Sequence, residues 1–89
     1  MFTGIITGIG HIESIEDAGD RTFRIGCDWV CSTIDIGASI ACSGVCLTVV
    51  ARHAHSFDVT ASSETLMVTT AGDWSVGDQI NLELSLIHI

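Results

Sequence analysis

Proline is absent from the whole chain, and three basic residues stand against eleven acidic ones, for a formal net charge of −8. The first absence excludes proline-rich linkers and leaves any open sheet edge without one of its usual guards. The second sets aside a nucleic-acid backbone or an anionic membrane as a partner, because both are recognised by clustered basic residues. Aromatic residues are few: Phe2, Phe23, Phe57, Trp29 and Trp74, with no tyrosine. Most are needed for a core, which argues against a base-stacking platform. No apolar run is long enough to span a bilayer as a helix. The N-terminus has no basic opening of the secretory kind, and its apolar stretch is broken by Thr3, Gly4, Thr7 and Gly8. A cytoplasmic protein is therefore expected, its acidity serving solubility. The Gly-x-Ser-x-Gly elbow and the phosphate-binding glycine loop ending in Lys-Ser/Thr are also missing, so neither serine-hydrolase nor nucleotide-phosphate chemistry is indicated.

What is present is apolar substance in a short chain. The 89 residues are 47% hydrophobic, enough for one core and too much for disorder. A chain of this length buries only about 60–65% of its unfolded surface, so modest stability is expected. The cysteines Cys27, Cys31, Cys42 and Cys46 repeat a C-x3-C spacing, not the C-x2-C of common zinc knuckles. In a cytosolic chain they read as small, mostly buried thiols, with no metal and no disulfide. His53 and His55 have no evident third or fourth ligand and read as exposed loop histidines.

The pattern is that of strands. Phe2–Ile6 is apolar, and His11–Ile15 resumes it in alternation. Glu16–Asp20 reads as a turn, and Arg21–Cys27 as a strand with Phe23 and Ile25 inward. Asp28 opens a short helical segment through Trp29, Val30 and Ile34. Gly37 turns the chain into Ala38–Cys42, and Ser43-Gly44 joins that strand to a central one ending at Arg52. His53–Ser56 is a loop, and Phe57–Ala61 alternates. Ser62 or Ser63 caps a helical turn through Met67. Thr69–Trp74 is a loop, and Val76-Gly77-Asp78 turns into a last strand, Gln79–Leu84. About six short strands, little helix, and no repeat, low-complexity segment or linker predict a closed or nearly closed antiparallel barrel.

Gly44-Val45-Cys46-Leu47-Thr48-Val49-Val50 is the most informative stretch. Alternation puts Val45, Leu47 and Val49 on one face, and Cys46, Thr48 and Val50 on the other. A thiol and a hydroxyl thus share a face, and the preceding glycine permits close approach. Small, hydroxylic groups near glycines on a barrel suit a neutral heterocycle held by backbone bonds and a few side chains.

Met1-Phe2-Thr3-Gly4-Ile5-Ile6, Gly44–Val49 and Glu64-Thr65-Leu66 together resemble the riboflavin synthase family of the alpha-chain type, in particular its N-terminal barrel. Gly72-Asp73 and Val76-Gly77-Asp78 fit that family's closing segment. The likeness covers residues 1–84, and Ser85–Ile89 does not resemble the family's continuation. It implies an all-β, six-stranded antiparallel Greek-key barrel over 1–84 with one or two short helical turns, followed by a non-family tail over 85–89. It implies transferase chemistry, in which two molecules of 6,7-dimethyl-8-ribityllumazine become riboflavin and 5-amino-6-ribitylamino-pyrimidinedione with no metal and no organic cofactor. Family members usually carry two barrels per chain and form trimers, with the active site between barrels of different subunits. A single barrel is therefore expected to be weakly active or inactive alone, and to pair as a dimer of identical barrels if it pairs at all. A non-catalytic lumazine- or flavin-binding protein of the antenna type is the alternative.

Carried over by position, the likeness assigns ligand binding to Gly4, Ile5 and Ile6, to Ser39, to Cys46, Leu47 and Thr48, and to Thr60, Ala61, Ser62, Ser63, Glu64 and Thr65. Cys46 is the catalytic candidate, as nucleophile, base or assistant. Ser63 stands where the family often has proline, which makes that loop less rigid.

Overall fold

The computed structural model describes residues 8–27 and 34–84. The expected strand at Phe2–Ile6, the helical segment begun by Asp28, the site residues Gly4, Ile5 and Ile6, and the tail at 85–89 lie outside the described residues. Within them six strands form one closed sheet: β1 (Gly8–Ala18), β2 (Asp20–Cys27), β3 (Ser39–Cys42), β4 (Val45–Arg52), β5 (Ser56–Ala61) and β6 (Gln79–Leu84). The order round the barrel is β1-β2-β5-β4-β3-β6, and every neighbouring pair is antiparallel. Strands β3, β4 and β5 follow one another, while β2 reaches back to lie beside β5, which is the Greek-key arrangement.

Side-chain alternation decides what faces inward. Val45, Leu47 and Val49 of β4 are buried, while Cys46, Thr48 and Val50 are exposed, as the period of two requires. Phe23 and Ile25 of β2, Phe57 and Val59 of β5, Ile40 of β3, and Ile80 and Leu82 of β6 complete a barrel filled by side chains. Trp74 covers one end, its ring edge-to-face with Phe23 at 5.1 Å between centroids.

Turns set the register. Ser43 and Gly44 both have positive φ, 48° and 86°, which is the twist a two-residue hairpin needs. Serine there is strained. Two hydrogen bonds offset that strain: the Ser43 backbone N–H donates to the Asn81 carbonyl (2.7 Å), and the Asn81 N–H donates to Ser43 Oγ (3.1 Å). The same serine thus ties the β3–β4 hairpin to β6.

The structure corrects three local expectations. Glu16–Asp20 is not an open turn: β1 continues to Ala18, β2 starts at Asp20, and only Gly19 (φ 88°) lies between them. The acidic residues face solvent along the hairpin, where Arg21 Nε donates to Asp17 Oδ1 at 2.6 Å. Ser56 belongs to β5, opposite Gly26, and not to the preceding loop. Part of the Thr69–Trp74 segment is helical: Thr70–Asp73 forms a single 3-10 turn whose N-cap is Thr69, its Oγ1 accepting from the Ala71 N–H.

Two bulges mark the outer surface. Register shifts between Ile12 and Ser14 on β1, and between Val49 and Ala51 on β4, leave Glu13 and Val50 as the extra residues.

Candidate functional site

The outer face of β3, β4 and β5 gathers much of what the sequence marked. Ser39 lies directly opposite Thr48, and Thr48 directly opposite Thr60. Directly opposed residues in a sheet point to the same side, so three hydroxyls form a row across three strands. Cys46, two residues from Thr48 along β4, shares the face and stands opposite Ala41. Among the described cysteines Cys46 is exposed, whereas Cys27 and Cys42 are buried. Burial pushes the Cys42 thiol up to about 12, and its Sγ donates to the Ile40 carbonyl at 3.7 Å.

The remaining marked residues divide. Leu47 and Ala61 are 4% and 2% exposed, and their side chains fill the barrel. Anything they offer to an outside ligand is main-chain. Ser62 to Thr65 open the short helix α1 (Ser63–Val68) at the end of β5. Ser62 is its N-cap: its Oγ accepts from the Thr65 N–H at 3.3 Å and lies 3.1 Å from Thr65 Oγ1. These two hydroxyls are engaged with each other and with the cap. Glu64 sits in the first turn, where a carboxylate favours the helix N-terminus.

Sequence reasoning missed one member of the row. Thr60 is flanked on its other side by Thr22 of β2. The line therefore runs Ser39–Thr48–Thr60–Thr22 over four adjacent strands. None of these four hydroxyls is bonded to another described residue. The neighbouring row along β2 and β5 is charged instead: Arg24 donates to both carboxylate oxygens of Asp58, at 3.0 and 3.4 Å, and His53 Nε2 lies 3.5 Å from the same group. Burial alone would raise the Asp58 carboxyl, but hydrogen bonds from Arg24 and His53, with their charges, outweigh it and hold it below the ordinary value of 3.8. His53 is thus a partner of this ion pair and not simply a loop residue.

A different chemistry occupies the far side. In the cyclic strand order β1 lies diametrically across from β4. There a cavity of about 590 Å³ is lined by His11, Glu13, Cys27, His55, Gln79 and three glycines. His11 Nε2 is 3.7 Å from Glu13 Oε2. The pair lies over Gly26, where a Cβ would collide with the Glu13 carboxylate and come within 2.9 Å of His11 Cε1. Among the described residues no group of three or more His, Cys, Asp and Glu side chains is placed to hold a metal ion. No helix among them is long and apolar enough to cross a membrane.

Comparison with known proteins fits this geometry. Residues 3–85 match the family model described as "Lumazine binding domain". Curated relatives include the riboflavin synthases of Brucella abortus (48% identical over 92 residues), Photobacterium phosphoreum (40% over 89) and Escherichia coli (36% over 85). These alignments take in 97%, 98% and 93% of this chain but 46%, 41% and 40% of the respective relative, so the chain spans less than half of their length. A closed six-stranded antiparallel barrel whose sequence matches the family model from residue 3 to residue 85 belongs to the lumazine-binding domain family.

Proposed function

We propose that this chain is a ligand-binding barrel of the riboflavin synthase type, holding one molecule of 6,7-dimethyl-8-ribityllumazine on the outer face of β3–β5. The observation that carries the reading is the hydroxyl row centred on Thr48. Threonine is ordinary on the solvent face of a strand, where opposed pairs add a little to sheet stability. Here the hydroxyls are contiguous, unpartnered, free of charge in their own row through Thr22, and next to the exposed thiol of Cys46. Such a surface offers donors and acceptors to the carbonyls and ring nitrogens of a neutral heterocycle without the desolvation cost of a buried charge.

Thr48 occupies the centre and bonds the heterocycle. Main-chain groups between Ala61 and Ser63, where β5 leaves the sheet, add fixed donors and acceptors. Cys46 packs against the reacting part of the ring and assists there. In the reaction a four-carbon unit passes from one lumazine to a second, giving riboflavin and 5-amino-6-ribitylamino-pyrimidinedione. The chain's main contribution is orientation, converting an encounter of two heterocycles into a reaction between held partners. One face holds one of the two, so a second barrel must present the other. No residue of this reading calls for a metal or an organic cofactor.

Fluorescence titration of the purified chain with 6,7-dimethyl-8-ribityllumazine and with riboflavin, followed by an absorbance assay for riboflavin formation, tests the reading. Saturable binding with little or no turnover is expected. Binding with full turnover would mean that two copies of this barrel complete a site between them. A folded chain that binds neither compound would overturn the proposal.

A further inference from the structure

The barrel is closed, but β1 outruns the strand that closes it. Along one side β1 pairs with β2 from Gly10 to Ala18. On the other side β6 pairs only with Gly8 to His11. The Ile12 N–H then donates to the Asp78 carbonyl at 2.9 Å, and the Ile12 carbonyl accepts from the Gly77 N–H at 2.8 Å. There the neighbouring chain turns away, the Asp78 N–H bonding back to the Ser75 carbonyl. From Glu13 to Ala18 this side of β1 has no further backbone bond among the described residues. Every residue of the stretch is exposed except Ile15, which packs against the core and anchors the strand.

We infer that this free edge is a strand-addition site, and that its occupant is an extended, basic segment of another protein. Such a segment lies beside β1, takes main-chain hydrogen bonds along the edge, and sets its side chains against those of β1. Six residues at ~3.4 Å each give an edge about 20 Å long, room for a strand of ordinary length.

Charge selects the occupant. Glu16, Asp17 and Asp20 are exposed around the edge. The two arginines of β2 are already engaged, Arg21 with Asp17 at 2.6 Å and Arg24 with Asp58 at 3.0 Å. Glu16 and Asp20 make no ion pair among the described residues. Exposed edges are commonly guarded by charged side chains, lysine above all. Acidic guards repel a second copy, because two such edges pairing about a twofold axis would bring one acidic row against another. They admit lysine or arginine, whose charge stabilises a cross-strand pair with a carboxylate. The net charge of −8 adds attraction at longer range. The same side chains thus exclude one occupant and favour another.

The probe is a blocked peptide of three Lys-Val repeats, with two comparators. One has three Glu-Val repeats. The other is the Lys-Val peptide N-methylated at every residue, which keeps the charges but has no main-chain N–H to donate. Binding is followed through the amide signals of the nitrogen-15-labelled chain. The Lys-Val peptide is expected to bind saturably and to shift the amides of residues 13–18 most, with both comparators at least about tenfold weaker. Glu16→Lys is expected to weaken the Lys-Val peptide about 3–10-fold and to strengthen the Glu-Val peptide. Equal binding of the N-methylated form would reduce the contact to surface charge and overturn strand addition. Absence of binding, shifts centred outside residues 13–18, or a chain that dimerises through this edge without peptide would overturn it as well. The lumazine titration is a separate readout, and neither result depends on the other.

Discussion

The β4 flank and the β1 flank of this barrel are built from the same sheet and lie on opposite sides of the same core, yet they carry different chemistry. On the β4 side, the hydroxyls of Ser39, Thr48 and Thr60 are neutral, follow one another from strand to strand round the barrel and lack partners among the described residues. On the β1 side, polar groups are titratable, and His11 and Glu13 already face each other across a glycine. The β1 flank has the cavity described above, and the β4 flank has the unused hydrogen-bonding capacity. A concave surface is a common mark of a ligand site. Here the better guide is which polar groups the fold leaves unsatisfied, because a ligand gains most from groups that no neighbour already holds.

The most severe way to break the comparison is to remove what both flanks share. Phe57 is fully buried. Phe57→Ala is expected to cost about 3–5 kcal/mol, and denaturant unfolding should show both flanks lost in one transition. Thr48→Val comes next. It is expected to lower affinity for 6,7-dimethyl-8-ribityllumazine several-fold while leaving the denaturation midpoint nearly in place; a large loss of stability would mean that Thr48 belongs to the sheet and not to a site.

Thiol reactivity sharpens the contrast between inside and outside. Peptide mapping after brief iodoacetamide treatment should find Cys46 alkylated and Cys42 intact until the chain is unfolded, because Cys42 is buried and its thiol is pushed up to about 12. Bound lumazine is expected to slow alkylation at Cys46. Asp58→Asn should have a smaller effect. The carboxyl is depressed in the folded state, so its stabilising contribution is present above 3.8, the ordinary value, and fades as pH falls below it towards the lower folded value. Acid titration of parent and variant should therefore give stability curves that are separated near neutrality and converge below that point. Smallest of all, His11→Ala, on the β1 flank, is expected to leave lumazine affinity unchanged; a several-fold loss would move the site across the barrel.

Much of this contrast was legible in the order of residues. Alternation from Val45 to Val50 separated core from surface correctly, because a half-buried strand must repeat every two residues. Ser43-Gly44 announced the hairpin, and the strand count announced closure. The row of hydroxyls was legible only in part. Thr48 and Ser39 are joined by a tight hairpin, so their facing follows from a short count. Thr60 faces Thr48 across a strand pair whose register is shifted by the bulge at Val50, which no local pattern reveals. Thr22 reaches Thr60 only through the return of β2 to the side of β5, a pairing of segments far apart in sequence. The acidic stretch Glu16–Asp20 misled for a related reason. Composition suggested a loop, whereas one glycine with positive φ sufficed to turn the chain, and the charges simply pointed outward.

The double pairing of β6 bears on how the barrel comes into being during synthesis. Gln79–Leu84 bonds both β1 and β3, with Leu82 opposite Gly8 on one side and opposite Cys42 on the other. While the ribosome is still making residues before 79, every strand of the hydroxyl face already exists, but two sheet edges remain open. The chain has no proline to blunt them. Closure must wait for a segment distant from its partners, the kind of contact that makes all-β domains slow to fold. A nascent chain paused before residue 79 would thus be held as an open, sticky sheet, and its exposure to aggregation or to chaperones is set by how soon the six residues of β6 emerge.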